Sequence, residues 1–494
     1  MSCASTLFGQ EFTAEEIEQT RRSNGLLTME IEVGTLCNFA CRYCYVGDGI
    51  AAKPLEAECE LTLDEIQSVI AQAQALGARK IILLGGEPML YGFTLDLCDW
   101  IRARGMGVEL FTNGTNMTAG ASKRLFEAGV HVVLKWHSSN AETQNWLSGV
   151  PDAHHVIHEA YQHLRAAGYP GPHAKFALST VICRQNIEEL PALWCWMREI
   201  GIEPYFEMIT PQGRAIENAA TLSPSVEELH HLFELIQKLD AEKFGRVWDA
   251  QPPLVGNTCL RHSFSCLINA KGDVMPCVGV QIGVGNIRKQ PLAKILEDSE
   301  VIGDLRNHKK TIQGACGACD KAVDCYGCRG AAYQMTGNYL GSDPLCWRNQ
   351  DGAECSCLPM SAAALLPHQP PTRMVDTLET VSERAATVRA HIAPDNPHCK
   401  EGRLLESAHL ELMAQAAATL QGFRTRVRPD GKAQKGMLIG ARDLTIIQPI
   451  AVGDQLEVHV RKETRLGTFG ILKAEIFRNQ ELISTAELKT WHEE

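Results

Sequence analysis

Nowhere does the 494-residue sequence hold an apolar run close to the roughly eighteen residues that cross a membrane. Its opening stretch, MSCASTLFGQEFTAEEIEQTRRSNG, also lacks the apolar centre of a secretory leader. These two absences argue against a membrane partner and predict a cytoplasmic protein. Excess basic charge is missing as well. Lys and Arg number 47 against 59 Asp and Glu, a net charge of −12, which argues against a general nucleic-acid binder. No internal repeat is evident.

Cysteine, by contrast, is abundant. The chain has 19, and in a reducing compartment metal ligation explains them better than disulfides do. Their distribution is uneven. Cys37, Cys41 and Cys44 fall within eight residues, eight more lie between 259 and 346, and Cys399 stands alone in the last 137 residues. Apolar residues make up 45%, enough for several packed cores, and the length suggests about three domains.

From about 27 to 210 short apolar stretches alternate with amphipathic ones. Strands are expected at 27–35, 80–85, 107–113, 131–138, 175–182 and 203–210. The segment after Glu60 reads as a helix: Thr62 and Glu65 form a capping box, Leu63, Ile66, Ile70 and Ala73 share a face, and Gly77 ends it. Residues 223–245 and the apolar stretch 404–423 read as further helices. The alternation predicts an α/β fold with a parallel sheet, either a partial barrel or doubly wound, with its chemistry at the carboxyl ends of the strands. Residues 255–350 are rich in Gly and Cys and weakly periodic, as expected of a segment held by metal clusters rather than an apolar core.

Three thiolates are too few for a structural zinc site unless a distant residue adds a fourth ligand. A cubane with three protein ligands leaves one iron open, as catalytic metals usually are. The loop CNFACRYC resembles the signature of the radical SAM superfamily, with Tyr43 as the aromatic before the third cysteine. That resemblance implies a partial (β/α)6 TIM-like barrel and a [4Fe–4S] cluster on Cys37, Cys41 and Cys44. The open iron would chelate S-adenosylmethionine (SAM), and reductive cleavage would yield a 5′-deoxyadenosyl radical that abstracts a hydrogen atom. It also implies SAM contacts from Gly85, Gly86 and Glu87 in GGEP, from Asn113 in TNGT, and from Lys135, Ser138 and Tyr43. The arginine that several relatives use for the SAM carboxylate is missing from AETQNWLSG.

The later cysteines, with Gly272 between Cys259 and Cys277, resemble the SPASM extension, which carries two auxiliary [4Fe–4S] clusters. The resemblance implies Cys259, Cys266, Cys277 and Cys328 for the first and Cys316, Cys319, Cys325 and Cys346 for the second. A zinc ribbon could use the same C-x2-C-x5-C-x2-C run. Val278 replaces the aspartate that sulfatase-maturating relatives carry after the matching cysteine, so that activity is not implied.

Residues 365–494 resemble an α+β hotdog domain of the β-hydroxyacyl-carrier-protein (thioester) dehydratases, through LLPHQPPTRMVD, ELMAQAA, GMLIGARDL and QPIAVGDQLEV. The resemblance implies a His–Glu pair contributed across a dimer interface: Glu411, with Gln415 one turn on, and His398, whose usual Phe-Pro-Gly context is absent. The basic loop from Arg424 to Lys435 could dock an acidic carrier protein or simply be solvated.

The expected organisation is therefore an N-terminal extension (1–26), a radical SAM core (27–245), a SPASM domain (246–350), a linker (351–364) and a hotdog domain (365–494). The expected function is hydrogen abstraction from an acyl or aminoacyl group on a carrier protein. Two alternatives are a peptide maturase that uses the hotdog domain as a scaffold, and an iron–sulfur sensor of acyl thioesters. Flavodoxin or ferredoxin would supply electrons, and the hotdog domain would make a homodimer.

Overall fold

The computed structural model describes residues 7–46, 60–349, 360–362, 365–366, 368, 371–381, 385–426, 436–466 and 468–492. It divides into two compact units, residues 1–335 with 339–351, and residues 352–494 with 336–338.

In the first unit all six expected strands form: β1 (Thr28–Glu32), β2 (Lys80–Leu84), β3 (Gly107–Thr112), β4 (His131–Lys135), β5 (Phe176–Ile182) and β6 (Glu203–Met208). They pair in parallel, each beside its successor, in the order β6-β5-β4-β3-β2-β1. A doubly wound sheet reverses its order at a switch point; this one does not, so it is the partial barrel. The helix expected after Glu60 is α1 (Leu63–Ala75). Both halves of its capping box are made, and Ile66, Val69, Ile70 and Ala73 are buried against the sheet. Gly77 follows with φ +99°, a left-handed conformation that suits glycine at a helix end. The second expected helix, α2 (Val226–Phe244), is likewise boxed by Ser225 and Glu228.

The cysteine-rich stretch departs from expectation. β7 (Leu267–Ile268) lies parallel to β1, with Glu30 opposite Leu267 and Ile31 opposite Ile268. β8 (Asp273–Met275) and β9 (Gly285–Asn286) extend the sheet antiparallel. Leu292, Ile295, Leu296 and Ile302 then join the apolar core of the barrel. This part of 255–350 is held by ordinary burial. Its strands are only two or three residues long, too short to show periodicity.

The N-terminal extension closes the amino end of the barrel. Leu7 packs with Val133 and Ala177, and the Phe8 ring stacks on Tyr205 with centroids 4.3 Å apart. Glu11 and Glu109 flank Lys80 at 2.7 and 3.0 Å.

The second unit is a seven-stranded antiparallel sheet in the order β10-β11-β12-β16-β17-β18-β15. These strands are β10 (Met360–Ser361), β11 (Thr377–Val381), β12 (Ala385–His391), β15 (Gly436–Ile446), β16 (Gln455–Leu466), β17 (Phe469–Arg478) and β18 (Glu481–His492). A separate small hairpin pairs β13 (Cys399–Lys400) with β14 (Arg403–Leu404). One long helix, α3 (Ala408–Arg426), packs its Leu412, Met413, Ala416 and Leu420 into the core with Val388, Val458 and Ile476 of the sheet. It starts four residues later than the apolar pattern suggests. The Leu404 amide bonds Ile450 O and the Leu405 amide bonds His398 O, so both are held by the hairpin region.

Candidate active site

The loop after β1 delivers the three cysteines to the carboxyl edge of the sheet. Cys37, Cys41 and Cys44 all line one cavity of about 240 Å³, together with Tyr43, Gly85, Gly86, Glu87, Asn113 and Lys135. No three His, Cys, Asp or Glu side chains among the described residues converge tightly enough for a single metal ion. A cubane asks for wider spacing, because each thiolate meets a different iron. Burial pushes the Cys37 thiol up to about 11 and Cys41 to about 12, the direction that a cationic cluster would reverse. Phe39 N–H donates to Cys37 Sγ at 3.4 Å, and Asn113 Nδ2 approaches the same sulfur at 3.9 Å.

The GGEP turn is built for close approach. Gly85 has φ +134°, and a Cβ on Gly86 would come within 2.2 Å of Leu36 O. The amides of Gly86 and Glu87 donate to Gly34 O and Leu36 O, so this turn clamps the start of the cysteine loop. Glu87 is fully buried. It accepts from Thr112 Oγ1 (2.7 Å), Asn113 N (2.6 Å) and Met89 N (2.9 Å), tying the second strand end to the third. Its carboxylate orders the rim as well as facing the cavity.

Tyr43 meets His137, a residue that sequence reasoning missed. Val181 N–H donates to His137 Nδ1, so the imidazole proton sits on Nε2 and is given to the Tyr43 hydroxyl. The Tyr43 hydroxyl in turn bonds Cys41. No spacing rule links residues 43 and 137; only the sheet brings them together.

Ser138 does not reach the cavity. Its hydroxyl donates to Glu189 and it is buried at the start of the loop after β4, away from the lining of the cavity. Lys135, on the inward face of β4, does reach it, lying 3.7 Å from Glu207. Deeper in, Arg261 holds Glu30 at 3.0 Å, and Tyr45 donates to Glu32 at 2.9 Å.

Cys259 lines the same cavity as the three-cysteine loop, and a second space of about 70 Å³ behind it is lined by Cys259, Cys277 and Cys328. Cys266 is not among its lining residues. That residue is 1% exposed within the apolar core of the barrel, and the charges that reach it belong to Arg306 and Glu30 rather than to another thiol. Of the four cysteines expected for the first auxiliary cluster, three share this space and Cys266 does not. The second set does converge. Burial pushes Cys325 up to about 11 and Cys346 up to about 12, and Cys316 lies close enough to add to both. Cys319 adds to Cys325 as well. Cys316 Sγ accepts from Asp343 N and Asn349 Nδ2, each at 3.3 Å.

In the second unit Glu411 lies in the first turn of α3 and accepts from Gln415 Nε2 at 2.8 Å. Gln415 also binds Thr372 O and Met374 N, which fixes its amide. His398 stands before the β13 hairpin, its amide bonded to Asn396. Among the described residues no hydrogen bond joins His398 to Glu411 within the chain. The basic segment 424–435 lies, in its side chains, outside the described residues.

The residues fit a SAM-binding cluster on three counts: three thiolates on one cavity wall, N–H groups aimed at Cys37, and a glycine turn that no side chain could enter. Known proteins agree. The family model of the radical SAM superfamily matches residues 31–193, that of an iron–sulfur cluster-binding domain (SPASM) matches 259–320, and that of ApeP dehydratase matches 360–494. The chain holds a radical SAM core. It carries a SPASM domain after the core and a dehydratase-type hotdog domain at its end, and [4Fe–4S] clusters and SAM are its cofactors. Among similar proteins are the AdoMet-dependent heme synthase of Methanosarcina barkeri and the PqqA peptide cyclase of Streptomyces rochei. The first is 29% identical over 65% of this chain and 95% of its own length. The second is 26% identical over 64% of this chain and 88% of its own length. The crystal structure of Streptococcus suis SuiB bound to SAM shares the fold of the first unit at 16% identity, covering 66% of this chain and 78% of that one with a TM-score of 0.50. No helix among the described residues is long and apolar enough to cross a membrane.

Proposed function

We propose that this radical SAM enzyme removes a hydrogen atom from an acyl or aminoacyl group carried on a carrier protein, and that the hotdog domain handles the same thioester. The observation that carries the reading is the fusion of a complete three-thiolate cavity to a dehydratase-type unit with Glu411 on its central helix. When bound, a reduced cluster with SAM supplies one-electron cleavage of the sulfonium and a carbon radical that takes a hydrogen atom. The chain's own residues do the rest. Cys37, Cys41 and Cys44 would hold the cluster, Gly85 and Gly86 let the turn close on the start of the cysteine loop, and Asn113 and Glu87 keep the rim rigid. Lys135–Glu207 and Arg261–Glu30 offer paired charges to a polar substrate deeper in the barrel. Leu7 and Phe8 exclude water from its amino end.

In the hotdog unit His398 and Glu411 would act as base and acid across two copies of the chain. Met437, Leu438 and Ile439 are exposed along edge strand β15, and a second copy would cover this apolar edge. Flavodoxin or ferredoxin would deliver the electron.

The similarity to PqqA peptide cyclase favours a second reading, a peptide substrate with the hotdog unit as scaffold. Anaerobic incubation with SAM, dithionite and either an acylated carrier protein or a candidate peptide separates the two. 5′-Deoxyadenosine release stimulated by the carrier-bound acyl group supports the first reading, and stimulation by peptide alone overturns it.

A further inference from the structure

With Cys266 in the apolar core, the first auxiliary site has three thiolates and needs a fourth donor. The chain supplies one three residues after Cys259. His262 sits on a short 3₁₀ turn (Arg261–Ser263), is 5% exposed, and lines the same 70 Å³ space as Cys259, Cys277 and Cys328. Its Nδ1 is buried without a hydrogen-bond partner. A buried polar atom left unsatisfied is costly, so such an atom in a native fold asks for a missing partner. The spacing Cys-x2-His matches the two-residue gaps by which neighbouring ligands grip one cluster.

The surroundings support the same assignment. The Tyr326 ring lies 5.3 Å from the His262 imidazole, and its hydroxyl points at Cys259 Sγ at 3.9 Å. Val280 N donates to Cys277 Sγ at 3.4 Å and Ala331 N to Cys328 Sγ at 3.3 Å. Each of the three thiols thus has one hydrogen-bond donor. A neutral imidazole ligates through the lone pair of an unprotonated ring nitrogen, and Nδ1 is the nitrogen left free here.

We infer that Cys259, His262, Cys277 and Cys328 together ligate the first auxiliary cluster, making it a three-cysteine, one-histidine centre. This goes beyond the hydrogen-abstraction reading but rests on the cluster-binding role of the SPASM segment. The consequence is functional. Replacing an anionic thiolate by a neutral imidazole removes one negative charge from the centre and raises its reduction potential. Because Cys259 also lines the main cavity, the better electron acceptor of the two auxiliary clusters stands on the substrate side.

The test uses the full chain with Cys37, Cys41 and Cys44 all changed to alanine, so that only auxiliary clusters remain. About eight irons per chain are expected by four-per-cluster counting. Pulsed electron paramagnetic resonance of the reduced protein should show the hyperfine coupling of a directly bound ¹⁴N. His262→Ala should abolish that coupling. His262→Cys should also abolish it, keep the iron and lower the potential of one cluster, which guards against simple misfolding. Cys266→Ala should leave iron and spectrum unchanged. Eight irons without nitrogen coupling would overturn the histidine ligand. A count near four would instead overturn the auxiliary-cluster reading itself, as would four irons lost on Cys266→Ala for the three-cysteine set.

Discussion

The two units of this chain build their candidate sites in opposite ways. In the first, Glu87, Asn113 and Lys135 reach the cavity of the three-cysteine loop from successive strand ends of one sheet, and Glu87 ties two of them together through its hydrogen bonds to Thr112 and Asn113. In the second, Glu411 and His398 belong to one chain yet share no hydrogen bond among the described residues. A parallel sheet gathers its carboxyl ends along one edge, so a single chain can complete a site there. The hotdog sheet ends on β15, where Met437, Leu438 and Ile439 are exposed, and a second copy is proposed to complete its pair.

The contrast can be broken most severely at the first site. Cys41→Ala should reduce 5′-deoxyadenosine formation to background and lower the iron content by about four per chain. Retained cleavage at full iron would remove the loop from the mechanism. Gly86→Ala should follow, because a Cβ placed 2.2 Å from Leu36 O cannot be absorbed without moving the backbone of the cysteine loop. SAM binding by calorimetry is expected to weaken at least tenfold, and wild-type affinity would show that the clamp is not needed.

The second site sharpens the comparison. His398→Ala and Glu411→Ala are each expected to lower hydration of a crotonyl thioester about 10²–10⁴-fold, the usual contribution of general acid–base groups. Mixing the two variants should restore part of the rate if the pair forms across two copies. Failure to recover, with mixed dimers verified by mass, would leave the hotdog unit a scaffold. Ile439→Lys on the exposed edge should shift the chain from dimer to monomer in light scattering.

The smallest expected effect concerns stability. Burial lowers the pKa of His131, at the start of β4, from 6.5 to about 4, with Lys80 adding to it. Its Nδ1 accepts from Lys175 N at 3.1 Å, so the folded state holds it neutral. The unfolded chain binds a proton there first as pH falls. This group's contribution to stability is therefore complete above pH 6.5 and is lost between 6.5 and 4, by about 3 kcal/mol at 1.36 kcal/mol per pH unit. His131→Gln should flatten that part of the denaturation profile, and an unchanged profile would assign acid sensitivity elsewhere.

Much of this could be read along the chain because it is local. Six strands, the boxed helix at Thr62 and the spacing of Cys37, Cys41 and Cys44 depend on neighbours within a few residues, and these are what periodicity and motif spacing report. Where the structure places residues differently from the expectation, partners far along the chain are the cause. Ser138 sits at the expected strand end, but its hydroxyl turns to Glu189 across 51 residues. Cys266 has plausible spacing from Cys259, yet pairing of β7 with β1 draws it into the barrel core.

Chain order therefore settled which chemistry this protein carries: three thiolates that stop short of closing a cluster, a glycine–acid turn beyond the next strand, and a dehydratase-like helix. The fold settled which residues take part. It brought Tyr43 to His137, left Cys266 in the apolar core away from the space lined by Cys259, Cys277 and Cys328, and set Leu7 and Phe8 under the barrel. The reason is physical. Ligand type and spacing are covalent properties of the chain, whereas which side chains share a cavity follows from packing between segments far apart along it.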